Sequence, residues 1–188
     1  MEFFDLLETR RSVRNYQDRD VSLDLLMEII QDACLAPNSG NRQIWRFIVI
    51  NDRDTIGRLS EESRTNLVAE LDSNPSSYVK RYEAALRNPR FNVFYNAPSL
   101  VIICGDKHSH SLQVDCALAA SYLMLSAAAR GLGTCWIDLG SRIHDPKLLE
   151  EIGLTEDLAI VAPIIIGYPK AIPAVPSRSQ PVILKTIS

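Results

Sequence analysis

The first clear pattern is a helical stripe. Leu25, Leu26, Ile29, Ile30, Ala33 and Cys34 recur at the spacing of one buried face, with Ser22 placed as N-cap and Pro37 as a stop. A shorter helix is predicted over residues 2 to about 9. Residues 45–50 form a brief apolar, partly β-branched run that reads as a strand. Residues 54–88 are mostly polar but helical in pattern, carrying Leu59, Leu67, Leu71, Tyr78, Tyr82 and Leu86, with a break at Asn74-Pro75.

Beyond Asn96-Ala97-Pro98 the pattern changes. Residues 99–104 are apolar almost without interruption, which suits a central strand covered on both faces. Residues 113–130 carry small and apolar side chains on nearly every side and predict a buried helix, with Gly131 as its C-cap. A strand is predicted at 134–137, a short helix at 144–152 with Pro146 near its first turn, and a buried strand at 159–167. Prolines then recur at 169, 173, 176 and 181, so the tail should be an extended arm that lies on another surface. The helix and strand alternation argues for an α+β or α/β sandwich.

Composition narrows the classes. The 188 residues, 46% hydrophobic, suffice for one substantial core, read here as one domain spanning residues 1–188. A net charge of -3 offers no footprint for nucleic acid. The amphipathic start lacks a signal-peptide core and no apolar stretch approaches bilayer length, so a soluble, cytoplasmic protein with no membrane partner is expected. Cys34, Cys104, Cys116 and Cys135 are dispersed and read as buried reduced thiols.

Two segments carry candidate chemistry. Arg10-Arg11-Ser12-Val13-Arg14 crowds three guanidiniums where a helix ends. An anion such as phosphate would relieve their repulsion through paired hydrogen bonds; pairing with Asp5, Glu8, Asp18 or Asp20 is the alternative. Ala36-Pro37-Asn38-Ser39-Gly40-Asn41-Arg42-Gln43-Ile44-Trp45 is dense in amides and hydroxyls that both donate and accept, suited to a polyol or a heterocycle edge, or simply to an Asx-rich turn.

These two segments in this order, followed by Gly131-Leu132-Gly133-Thr134-Cys135-Trp136-Ile137, Ile166-Gly167-Tyr168-Pro169 and a proline-rich tail, resemble the nitroreductase family of FMN-dependent enzymes. The resemblance covers nearly the whole chain and is weakest over residues 53–96. Ile44 departs from the family's usual proline, and Arg90 and Asn92 are the polar residues available where the family has an asparagine-lysine region.

The resemblance implies a three-layer α/β/α sandwich of the α+β class, with a central, mostly antiparallel sheet; periodicity alone admits a parallel sheet almost as well. It implies FMN as cofactor. Arg10, Arg11 and Ser12 would hold the phosphate and ribityl end, and Arg14 the N1/O2 edge of the ring. Pro37, Asn38, Ser39 and Asn41 would come from the second subunit of a homodimer. The backbone of Ile137, Asp138 and Leu139 would meet N5 and O4, Asp138 through its N–H. Arg178 of the tail, with Lys170 as a weaker candidate, would add a second phosphate contact. NADH or NADPH would reduce the flavin and a nitroaromatic, quinone or flavin would take the electrons in a ping-pong cycle, with no side-chain acid or base nominated. Reductive dehalogenation, oxygen-dependent flavin fragmentation and a non-enzymatic flavin-sensing role are the rival readings.

A cation at N1 favours reduced flavin. At ~4 Å and an effective dielectric of about 20 the attraction is roughly 4 kcal/mol, or ~90 mV before desolvation is subtracted.

Other features are set aside. His108, Ser109 and His110, with His144 at a helix start, show no third ligand at metal-site spacing. Gly131-Leu132-Gly133 lacks the third glycine of a dinucleotide fingerprint. Tyr78, Tyr82, Phe91, Phe94 and Tyr95 can line a substrate pocket, though ordinary packing is the reading adopted.

Overall fold

The computed structural model describes residues 2–74 and 76–187. Ten elements follow in chain order: α1 (Phe3–Thr9), α2 (Leu23–Ala33), β1 (Arg46–Ile50), α3 (Arg53–Ser73), α4 (Glu83–Leu86), β2 (Ser99–Asp106), α5 (Leu112–Ala129), β3 (Gly133–Trp136), α6 (Pro146–Glu151) and β4 (Leu158–Gly167). Short 3-10 turns lie at Ser39–Asn41, Tyr78–Tyr82 and Asp138–Ser141. The break expected at Asn74-Pro75 coincides with the end of α3; Pro75 itself lies outside the described residues.

Local chemistry sets the boundaries. Ser22 Oγ accepts from Leu25 N (3.3 Å) at the start of α2, and Asp52 accepts from Thr55 N (2.8 Å) at the start of α3. Past the end of α5, Gly131 takes φ +78°, where a side chain is strained. It thereby lets Leu132 N reach Ala127 O (2.9 Å) and its own N–H reach Ala128 O (3.0 Å). The chain can then turn directly into β3.

The sheet has the order β1-β2-β4-β3 and every strand pair is antiparallel. This settles the choice that doubly buried strands leave open. β2 and β3 both pair with β4, so α5 has to cross over β4 to join them. Along β2, Leu100, Ile102 and Cys104 enter one hydrophobic cluster while Val101 and Ile103 enter the other, as a period of two requires. The first cluster packs beneath α3 and α4 with α6 at its margin; the second lies beneath α2 and α5. Three layers result. Each fully buried Leu or Ile contributes about 1.5–3 kcal/mol relative to exposure.

α5 is long and apolar enough to cross a membrane by length and composition alone, contrary to the expectation that no stretch would be. It packs against α1, α2, β2, β3 and β4. The tail carries no helix or strand over residues 170–187 and is exposed.

Candidate functional site

On leaving α1, the arginine segment runs along the outer edge of β3. Val13 N donates to Thr134 O (2.9 Å), and Ser12 bridges Thr134 in the parallel sense. Val13 is buried while Ser12 and Arg14 are exposed, the alternation of an edge strand. Gly133 permits this approach, since a Cβ there would lie 2.7 Å from Val13 Cβ. Tyr16 fastens the far end: its hydroxyl donates to Val13 O (2.7 Å), and burial raises its pKa well above the usual phenol range. The tail's first residues are stitched alongside through Lys170 N to Asn15 O (3.0 Å) and Gln17 N to Tyr168 O (2.8 Å).

The backbone here is tied down by these bonds, but the cations are not. Asp18 and Asp20 pair with Arg53 (3.2 and 3.1 Å) rather than with the cluster. Among the described residues no ion pair engages Arg10, Arg11 or Arg14. Arg11 Nε, Thr134 Oγ1 and Trp136 Nε1 are buried without hydrogen-bond partners among the described residues. A buried unpartnered guanidinium nitrogen is costly unless an anion meets it. The phosphate of FMN fits that donor.

Arg14 points into a cavity of about 120 Å3 that it lines with Tyr78, Tyr82, Tyr95, Trp136 and residues Ile137, Asp138 and Leu139. Its guanidinium lies 5.7 Å from the Tyr95 ring centre. α3 holds the opposite wall, because Ser63 Oγ donates to Leu139 O (2.5 Å) and Asn66 Nδ2 to Arg142 O (2.9 Å). Ile137 N–H already donates to Pro163 O (2.8 Å). The N–H groups that open the 3-10 turn at Asp138 and Leu139 have no acceptor inside that turn. The Asp138 carboxylate accepts from the Tyr78 hydroxyl (2.5 Å), which also accepts from Arg142 Nη2 (3.3 Å). Partial burial and the adjacent carboxylate push the Tyr78 phenol up to about 12.

Of the five aromatics noted in sequence, Tyr78, Tyr82 and Tyr95 line this cavity. Phe94 is wholly buried, and Phe91 packs edge-on to Tyr95 at 5.7 Å. Asn92 lies apart: its Oδ1 accepts from Phe94 N (2.8 Å) and Asn96 N (3.3 Å), and it borders a different cavity, with Arg53 and Ile56. Arg90 is exposed.

The polar loop lies at the opposite edge of the sheet. Arg46 pairs with Cys104 and Cys104 with Ile160, whereas Gly133 pairs with Gly167. Three inter-strand steps are ~14 Å and seven residues of strand ~23 Å, so one chain separates the loop from the arginines by more than ~20 Å. Asn38 is spent within the loop: Oδ1 accepts from Gln43 N (2.9 Å) and Nδ2 donates to Ala36 O (3.3 Å). Asn41 Oδ1 accepts from Gln43 Nε2 (3.1 Å), while Pro37 and Ser39 are exposed. Asn41 (φ 52°) and Gln43 (φ 48°) sit in the left-handed region. Asp115 anchors the loop from α5. Only 1% exposed, it accepts from Ser39 N (3.1 Å) and Ser111 Oγ (2.9 Å). Sequence reading missed it; its one signal was an acid in the first turn of an otherwise apolar helix. Arg178 lies in the exposed tail, and among the described residues no hydrogen bond or ion pair links it to Arg10 or Arg11.

The model of the Nitroreductase family matches residues 7–168. The chain belongs to that family. An Archaeoglobus fulgidus protein provisionally named NADH dehydrogenase/NAD(P)H nitroreductase is 29% identical over 90% of this chain and 86% of its own. A Bacteroides fragilis nitroreductase crystallised with bound FMN superposes with a TM-score of 0.82 at 23% identity, covering 100% of this chain and 99% of that one, and so supports the fold. An FMN-dependent nitroreductase from Clostridium difficile is 28% identical, with a TM-score of 0.69 over 93% and 92% of the two chains.

Proposed function

We propose that this nitroreductase-family protein is an FMN-dependent NAD(P)H oxidoreductase whose two cofactor sites are each shared between subunits of a homodimer. The observation that carries the reading is Arg11 Nε, buried without a hydrogen-bond partner among the described residues, on an edge where Arg10 and Arg14 make no ion pair with any described residue. Arg10, Arg11 and Ser12 bind the phosphate and ribityl end in this reading, and Arg14 faces the N1/O2 edge. The N–H groups of Asp138 and Leu139 face N5 and O4, while Ile137 shapes that wall because its own N–H is engaged. When bound, FMN supplies the two-electron chemistry, accepting hydride from NADH or NADPH and passing the pair to a planar acceptor by a ping-pong cycle.

The spacing within one chain supports a shared site. A cavity of about 120 Å3 is smaller than the ~150 Å3 that takes one benzene ring, so a three-ring isoalloxazine needs walls beyond those of one chain. The second subunit brings Pro37, Asn38, Ser39 and Asn41, with the loop's shape fixed by its internal bonds. Apolar surface supports the dimer: Val114 and Tyr122 on α5 and Phe3, Phe4 and Leu7 on α1 are between 40% and 75% exposed. The tail exposes Val182, Ile183, Leu184 and Ile187, which a partner would cover while Arg178 reaches its phosphate.

The test is the visible spectrum of the purified protein before and after anaerobic addition of NADH or NADPH. Flavin bands that bleach are expected. Absence of flavin together with no binding of added FMN overturns the reading.

A further inference from the structure

The cavity beside Arg14 contains one charge that cofactor binding does not use. Its ionised lining groups are Arg14, assigned above to the flavin edge, and Asp138. Asp138 offers a backbone N–H to the flavin, but its carboxylate turns toward the tyrosine wall and accepts from Tyr78 (2.5 Å). That partner is neutral. Among the described residues no ion pair engages Asp138. Arg142, which touches the same phenol oxygen, is itself paired with Glu70 (3.6 Å). Arg81 lies 5.9 Å from the ring centres of Tyr78 and Tyr82 and does not line the cavity. The remaining walls are aromatic or aliphatic, and Val79, wholly buried, roots the tyrosine segment in the core.

We propose that Asp138 is the specificity-determining charge of the acceptor pocket, selecting uncharged planar acceptors over anionic ones. A neutral ring can stack against Tyr78, Tyr82 or Tyr95 without meeting a like charge. A ring bearing a carboxylate brings a second negative charge beside Asp138, where aromatic walls screen it less than water does. The proposal rests on the FMN reading, in which the flavin edge takes the hydrogen-bond donors of Arg14 and stands between them and the acceptor.

The test uses the FMN-loaded protein in its oxidised state, without nicotinamide. Binding of 4-nitrobenzamide and 4-nitrobenzoate at pH 7 is measured from the perturbation of flavin absorbance. The amide should bind about tenfold tighter, equivalent to about 1.4 kcal/mol. Asp138→Asn should bring the ratio near one by strengthening nitrobenzoate. Tyr78→Phe, which bares the carboxylate, should keep the ratio at tenfold or above even if both ligands weaken. Loss of packing would move both ligands together and leave the ratio unchanged. Equal or tighter binding of nitrobenzoate to the wild type, an unchanged ratio in Asp138→Asn, or a collapsed ratio in Tyr78→Phe overturns the proposal. If FMN is retained and the ratio is flat, this proposal alone fails; if FMN is not bound, both readings fail.

Discussion

The arginine segment at the β3 edge and the polar loop preceding β1 spend their hydrogen bonds in opposite ways. At the first edge the backbone is fixed by Thr134, Tyr16 and Tyr168, and the guanidiniums find no counter-ion among the described residues. At the second, Asn38, Asn41 and the buried Asp115 are used to hold the loop itself. One edge therefore presents charge, and the other a pre-formed shape. Binding energy should be concentrated at the arginines, and positioning at the loop.

Four experiments separate the roles of the two edges. The largest effect is expected from Arg10→Ala combined with Arg11→Ala. Each charge-assisted contact contributes about 1.5–3 kcal/mol, so FMN affinity should fall by hundreds-fold or more, measured by quenching of flavin fluorescence. Asp115→Asn should cost about 1–3 kcal/mol in urea unfolding and weaken FMN several-fold; lost stability with unchanged affinity would make the loop scaffolding only. Arg14→Ala should lower the FMN midpoint by tens of millivolts, less than the ~90 mV reached at a dielectric of about 20, because Arg14 is exposed to water. The smallest effect concerns the cysteines. Burial pushes the Cys104 and Cys116 thiols up to about 11 and 12, and raises Cys135 as well. Their reactive thiolates appear only as pH climbs toward those values. At pH 8 iodoacetamide should label Cys34, half-buried, before the other three, as read by peptide mass spectrometry.

Much of the scaffold was legible. The stripe from Leu25 to Cys34, the continuous apolar runs of β2 and β4 and the prolines of the tail each state their environment through periodicity. Strand direction was not legible from pattern, because a run buried on both faces looks the same in a parallel or an antiparallel sheet. The arginine cluster was visible as charge, but its lack of partners was not: Asp18 and Asp20 are closer in sequence to it than to Arg53, which they pair with. Asn38 and Asn41 were legible as a polar loop, though not that their amides are used internally. Residues 76–82 were least readable. Their 3-10 turn places Tyr78 and Tyr82 at the cavity and Val79 in the core, a division that short polar segments do not reveal by spacing.

In the proposed assembly each flavin site takes its charge from one subunit and its shaped loop from the other. The direct test is a mixed dimer. One chain carries Arg10→Ala and Arg11→Ala, the other Asn38→Ala and Asn41→Ala, and differently tagged chains are co-expressed and purified together. Each variant homodimer should be flavin-free. In the mixed dimer one site combines both defects and the other combines none, so the account predicts one FMN per dimer, with wild-type affinity. A mixed dimer without flavin would place both segments at a site within one chain and contradict the account.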